Sequence, residues 1–471
     1  MPRLLLVGIC AFVLFPFLVS ASPRQRVLAQ TDSDPGVVEA LQPQFTTPGG
    51  VGVGDYTGGT NTGLSFQLPL VRTDTSGSTS YDTIIHTANA TASSLNVSIT
   101  FYNQNGTTLT TVTNNNLAAW ASWDYDVGQQ LNNSSFSGSA VVTSNVAGIA
   151  VAADVISSTS GATDNLDTYA GIPSGATLGY FPLAYNADNY FTSFYVRNPN
   201  SSSANVTLTF FQDGIQKTVN GPVTVPALGS VILQPNNTSF QAGPVQVSSS
   251  QGVAVVAETS KTGAFYTLST MAAPSTATTF YLPRFEYNTD TTTNLTSNLL
   301  VLNTTPSSCT SDCNARYTVQ FYDSNGNLVS TVTSSTNGVK PMRDWPLGSL
   351  TALSDNQVPT GLTSGSVYSA VLSNPNGVPI VPLVATLEGS FSSKTSISVT
   401  DGTNYNPITS SPSGSWGYLP GLRKSVAGES TGFTFMNIQS TPQDYQITYW
   451  GQGGNLVRTD TLSLLPNQAW Y

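Results

Sequence analysis

Residues 96 to 106 read NVSITFYNQNG, with Val97, Ile99 and Phe101 alternating against Ser98, Thr100 and Tyr102 before a turn at Gly106. A period of two predicts a β-strand with one buried and one exposed face. The phase returns in Val206, Leu208 and Phe210, in Tyr317, Val319 and Phe321, and in Tyr445, Ile447 and Tyr449. Each of these runs ends in a glycine-containing turn, at Gly214, Gly326 and Gly454. Strands written to one template identify an internal repeat.

The flanking segments repeat as well. Upstream lies a strand closing on asparagine, at Asn89, Asn198, Asn303 and Asn437. Before it comes a strand interrupted by Pro69, Pro182, Pro283 or Pro420. Proline cannot donate to a ladder, so these are expected at edges or strand ends. Downstream of the first three copies, SGSAVVTSNVAGIAVAAD, AGPVQVSSSQGVAVVAE and SGSVYSAVLSNPNGVPIVPLVATLE read as hairpins whose second strand is apolar throughout. Repeats of roughly 100 to 135 residues are long enough for an antiparallel sandwich to close its own core. The expected organisation is repeat 1 over 56–168, repeat 2 over 169–269, repeat 3 over 270–403 and a partial repeat 4 over 404–471.

The fourth copy stops at LSLLPNQAWY, without the apolar hairpin that should complete its sandwich. An unpaired edge and uncovered inner faces are an aggregation hazard. Three readings follow. The chain is a fragment of a longer protein; or another chain donates strands, as in filament subunits; or the last unit is self-sufficient or pairs with the segment around GVVEALQPQF. That segment alternates poorly and contains proline, so it is the disfavoured donor, and residues 22–55 are expected as a leader or linker.

The first residues, MPRLLLVGICAFVLFPFLVSAS, have the pattern of a secretory signal peptide, expected to span 1–21. Charged residues make up 8% of the chain, against about 25% in ordinary soluble proteins. A net charge of −10 with 15 Lys and Arg leaves no basic field, which excludes nucleic acid and anionic lipid as partners. Abundant Val, Thr, Tyr and Phe favour strands, and no later stretch reaches transmembrane length. The expectation is an all-β extracellular protein with no membrane span in the mature chain.

Candidate chemistry is sparse. Cys309 and Cys313 fall in the lengthened hairpin loop of the third copy, where an exported chain is expected to form a local disulfide rather than keep free thiols or bind metal. His86 is the only histidine and is expected on the surface or between domains; no nucleophile elbow accompanies it. Asp154, Glu258 and Glu388 close the apolar strand in three copies and are expected to pair with an arginine such as Arg72, Arg197 or Arg284, or with backbone N–H groups, at a domain junction. Tyr102, Phe211, Tyr322 and Trp450 occupy one repeat position on the polar face, either to stack on sugars or to pack beneath a neighbouring domain. Asn-x-Ser/Thr triplets such as those at Asn89, Asn96, Asn205 and Asn303 are no more frequent than chance gives. No catalytic residue, metal site or cofactor is expected.

The Leu-Pro strand, the strand closing on asparagine, the Phe-Tyr-x-x-x-Gly turn and the Ser-Gly-Ser-Ala-Val-Val strand together resemble the Ig-like repeats of large secreted and cell-surface proteins of bacteria. The resemblance covers nearly all the chain beyond about residue 55. It implies tandem antiparallel Ig-like β-sandwiches, the last incomplete, in a non-catalytic structural or adhesive protein acting as a rod or array component. Expected partners are other cell-surface proteins or copies of itself. The alternatives are a polysaccharide-binding module working through the four aromatics, and a filament subunit assembled by strand donation.

Overall fold

The computed structural model describes residues 25–31, 37–42, 62–74, 79–131, 135–159, 165–187, 189–236, 239–261, 265–289, 295–311, 313–349, 356–393, 396–409, 416–422, 424–426, 429–430 and 432–471. The expected signal peptide lies outside them. The described chain is almost entirely antiparallel β, with one short helix at Val127–Gln130. Its first two strands are β1 (Gln25–Thr31) and β2 (Val37–Gln42).

The first repeat shows the common plan. It contains β3 (Ser65–Asp74), β4 (Thr79–Asn89), β5 (Leu95–Asn103), β6 (Thr108–Leu117), β7 (Ser122–Asp126), β8 (Ser135–Ser144), β9 (Ile149–Thr159) and β10 (Asn165–Ala170). One half runs β3-β8-β5-β6 and the other β10-β9-β4, with β7 on the free side of β4. β3 and β4 pair only at Asp74 opposite Tyr81, and Gly63, just before β3, bridges to Ile149 of β9. Between the halves lies a core containing Leu68, Val97, Ile99, Phe101, Val142, Val151 and Val155, a β-sandwich-like arrangement. The alternation of β5 is the reason its odd positions enter this core. Val206, Leu208 and Phe210, and Tyr317, Val319 and Phe321, enter the second and third cores in the same phase. Pro69 falls where the register between β3 and β8 slips, between Leu68 and Val71, so the missing N–H sits at a bulge.

In each of the first three repeats two strands do not alternate, because both their faces are covered. Every residue of β4 from Thr83 to Asn89 is buried, as are Ser193–Arg197 and Thr296–Asn303 at the matching places. One face meets the core and the other a neighbouring repeat, so the sequences TIIHTAN and NLLVLN have no solvent-exposed face.

The fourth unit is completed by the chain's own beginning. Its sheets run Trp416–Leu422, β1, Gln443–Trp450, Leu456–Leu464, and β2, Gly432–Asn437, Ala469–Trp470. β1 takes the place that β8 holds in the first unit, and β2 the place of β9. Val27 lies opposite Leu419 and Tyr449, and Glu39 lies opposite Phe435. The expectation of a leader over 22–55 is therefore corrected for these two strands. So is the disfavour given to the segment holding β2: poor alternation suits a strand in the two-faced position of β9.

The units form a closed circuit. The proline strand of each packs on the two-faced strands of the next: β3 on Tyr190–Arg197 and Ala242–Lys261, Ala176–Ala187 on Leu295–Asn303 and Ile380–Ser393, and Thr279–Tyr287 on Gly432–Asn437 and β2. The series closes where Trp416–Leu422 packs on β4 and β9 of the first unit. The rod expected from tandem repeats is replaced by a ring. Tandem units of one shape, each presenting one complementary pair of faces, close when the rotation per unit suits the number of units.

Candidate functional site

The repeated motifs converge on the four junctions. At each, the glycine turn of one unit touches a loop of the next: Gly106 meets Ala227, Gly214 meets Pro341, Gly326 meets Pro466 and Gly454 meets Ala119. All four glycines have φ between +77° and +86°, and in three of them a Cβ would run into the opposing carbonyl. The receiving loop carries a non-glycine residue at positive φ: Trp120, Leu228, Met342 or Asn467. The repeated asparagine holds that loop. Asn89 Nδ2 donates to the carbonyls of Ser93, Leu117 and Ala118, and Asn198, Asn303 and Asn437 make equivalent bonds. These asparagines are wholly buried, so the triplets at Asn89 and Asn303 present no accessible amide.

Around that shared frame each junction uses different side chains. Between the first and second units, Arg72 Nη2 pairs with Glu258 Oε2 at 2.8 Å, and its Nη1 donates to the Tyr195 hydroxyl at 3.1 Å. Arg197 donates to Gln67 Oε1 at 2.8 Å and to Ser139 Oγ at 2.6 Å while lying over the Tyr102 ring. Burial lowers the Arg197 pKa to about 10, so it remains a cation at neutral pH. Between the second and third units the contact is apolar: Leu183, Tyr185 and Tyr190 against Leu300, Leu383 and Leu387, with Phe211 beside Met342. Between the third and fourth, Tyr322 and Val371 meet Met436 and Ala469. Between the fourth and first, Trp450 stacks on Trp120 and the Gln452 carbonyl accepts from Ser122 N–H.

His86 lies beside this last junction. Its Nδ1 is 2.6 Å from Asp124 Oδ1 and its Nε2 is 2.8 Å from Asp154 Oδ2. Gln452 of the fourth unit donates to the other oxygen of Asp124, and Thr168 to the other oxygen of Asp154. Burial alone would push the imidazole pKa down; the Asp154 charge and hydrogen bonds to both carboxylates outweigh it and hold the pKa above 6.5. Of the two expected placements, on the surface or between domains, His86 takes the second: it is buried beside the junction, between two carboxylates.

The four repeat aromatics are brought to the four junctions. Phe211 and Tyr322 are 5% and 9% exposed, and the half-buried Tyr102 and Trp450 are covered by Arg197 and Trp120. The face that reads as polar and outward is a contact face. Of the three acids, Glu258 has its arginine, Asp154 has His86 instead, and Glu388 lies opposite Asp401 in its own sheet. Arg284 pairs with Glu286. Sequence reading missed Asp124, Gln452 and Trp120; the recurrence of the loop before β7 was the available signal.

Two clefts stand out among the described residues. One of about 470 Å³ lies where the first three units meet and is lined by Tyr169, Leu268, Phe280, Leu383 and Tyr405. The other, about 800 Å³ and polar, lies between the second and third units beside the Cys309–Cys313 disulfide, whose Cα atoms are 5.9 Å apart. Among the described residues, no group of three or more His, Cys, Asp or Glu is placed to hold a metal, and no helix is long and apolar enough to cross a membrane.

No protein-family model matches the chain, and no curated protein matches it. Among solved structures it is similar to the crystal structure of Thermotoga maritima 1070, at 13% identity and a TM-score of 0.21, over 24% of this chain and 95% of that one.

Proposed function

We propose that this is a non-catalytic structural protein of the bacterial cell exterior, built from four Ig-like β-sandwich repeats closed into a ring, which presents its outer faces to other surface proteins or to copies of itself. The observation that carries this reading is the spending of the repeated chemistry on self-assembly: the glycine turn, the buried asparagine and the aromatic of each copy all serve a junction. The sole histidine, the natural acid–base group at neutral pH, is 1% exposed between two carboxylates, which supports a role without catalysis. Low charge, a signal-peptide pattern and a disulfide support export.

The reading is tested by expressing the whole chain in a bacterial host and locating it. The expected result is an exported product whose N-terminus lies near Ser22 and which images as a compact ring. An uncleaved cytoplasmic product, or an extended rod, contradicts it. Binding of neutral polysaccharide through the four aromatics is the weaker reading, since stacking needs ring faces that the junctions cover.

A further inference from the structure

The geometry points to the polar cleft between the second and third units as a binding site for an acidic oligosaccharide, one bearing carboxylates of the uronate kind. This goes beyond the structural role above and does not depend on it.

Three observations converge there. First, the cleft is where the repeat departs from its template. One wall is the lengthened loop of the third copy, clipped by Cys309–Cys313, and the opposite wall is the Asp213–Ile215 turn of the second unit. Features shared by all four copies hold the ring; a feature present once is free for another task. Second, the cleft concentrates positive charge in a chain of net charge −10. Among the described lining residues, Arg316, Lys340 and Arg343, three of only 15 cations, stand against one carboxylate, that of Asp213; Asp312 of the clipped loop lies outside the described residues. Arg316 and Lys340 are exposed and have no side-chain hydrogen bond or ion pair among the described residues, whereas Arg72, Arg197 and Arg284 are all engaged. Burial and then Asp213 hold the pKa of the neighbouring Asp344 well above the usual carboxylate range, which disfavours its charged form. Third, the walls are fixed and hydroxyl-rich. Asn314 Nδ2 donates to the Asn337 carbonyl at 2.8 Å, and Ala315 pairs with Val339, tying the loop to the neighbouring turn of its own unit.

The chemistry selects the ligand. Ile215 and Pro341 are the main apolar side chains of the lining, too few to anchor a peptide by burial, while Thr336, Asn337 and Asn376 offer groups that match sugar hydroxyls. Arg316 and Lys340 supply charge-assisted hydrogen bonds to carboxylates. A volume of about 800 Å³ lies in the range of small-ligand clefts and exceeds what a lone anion needs.

The test is titration calorimetry on the intact, oxidised mature chain with trigalacturonate. Parallel arms use neutral galactotriose, triglutamate and sulfate, each at 50 and 500 mM NaCl. Trigalacturonate is expected to bind, to weaken about tenfold at high salt, and to weaken by about tenfold or more in Arg316→Ser/Lys340→Ser. Both residues are exposed, so the variant should keep the parent melting temperature; the Cys309→Ser/Cys313→Ser variant should weaken binding by loosening the wall. Absence of trigalacturonate binding overturns the proposal, as does binding that the Arg316/Lys340 variant retains. Equal binding of sulfate or triglutamate overturns the saccharide assignment.

Discussion

Trp450 of the fourth unit lies on Trp120 of the first, ring centroids 5.5 Å apart and planes inclined by 17°. Trp120 holds a positive φ of 60°, a conformation an L-residue adopts only when its surroundings require it. The stack therefore joins opposite ends of the sequence through a loop preset to receive it. Trp450→Ala should destabilise the chain by about 2 kcal/mol in urea unfolding, and a double-mutant cycle with Trp120→Ala should return a coupling of about 1 kcal/mol. Strict additivity would show that the two rings do not meet.

The junction glycines separate strain from collision. Gly454 and Gly365 both have φ +84°, but a Cβ on Gly454 would strike the Ala119 carbonyl, while nothing lies within 4 Å of one on Gly365. Gly365→Ala should cost about 1 kcal/mol, the price of the left-handed backbone alone. Gly454→Ala should cost about 2 kcal/mol more, read from melting at equal protein concentration. Equal losses would place Gly454 away from the first unit.

Buried charge at the first junction gives a non-additive pattern. Arg72 and Glu258 expose 10% and 7% of their side chains, so removing one leaves the other uncompensated. Arg72→Met should cost about 3 kcal/mol, and adding Glu258→Gln should recover part of it. A double variant worse than either single one would contradict the pairing.

Two groups set a common pH trend. His86 has a folded pKa above 6.5, so the stability it contributes is complete below 6.5 and is lost as pH rises through the folded value. Burial and then Asp126 push Asp82 up to about 6, from 3.8, so its contribution is present below 3.8 and is lost as pH rises through about 6. The chain should lose stability from pH 5 to pH 9. Asp82→Asn should flatten the lower part of the curve, and His86→Asn should be less stable than the parent at pH 6, with the gap narrowing by pH 9. A constant gap would deny the histidine its charge.

The in-and-out phase of residues such as Val97, Ile99 and Phe101 was legible because a half-buried strand must alternate. The Cys309–Cys313 bond was legible for an equally local reason, whereas Pro69, expected at an edge or a strand end, sits at a bulge inside β3. The ring was not legible. Tyr102, Phe211, Tyr322 and Trp450 read as outward-facing because strand periodicity names two faces without saying what lies beyond the second. β2 read as a poor strand because it does not alternate; its place beside Gly432–Asn437, like that of β9 beside β4, shows only in the sheet order. The different chemistry of each junction, ionic at Arg72, apolar at Leu300, aromatic at Trp120, also hid their equivalence; such variety favours correct neighbours among units of similar shape.

The central claim is that β1 and β2 complete the fourth unit and close the ring. Amide hydrogen exchange over Tyr445–Trp450 measures this most directly, comparing the mature chain with a variant starting at residue 56, because β1 pairs with each of these residues. The account predicts strong protection in the mature chain, its loss in the truncated one, and its return on adding a peptide spanning residues 22–45. Unchanged protection after truncation would show that the fourth unit needs no strands from the start of the chain.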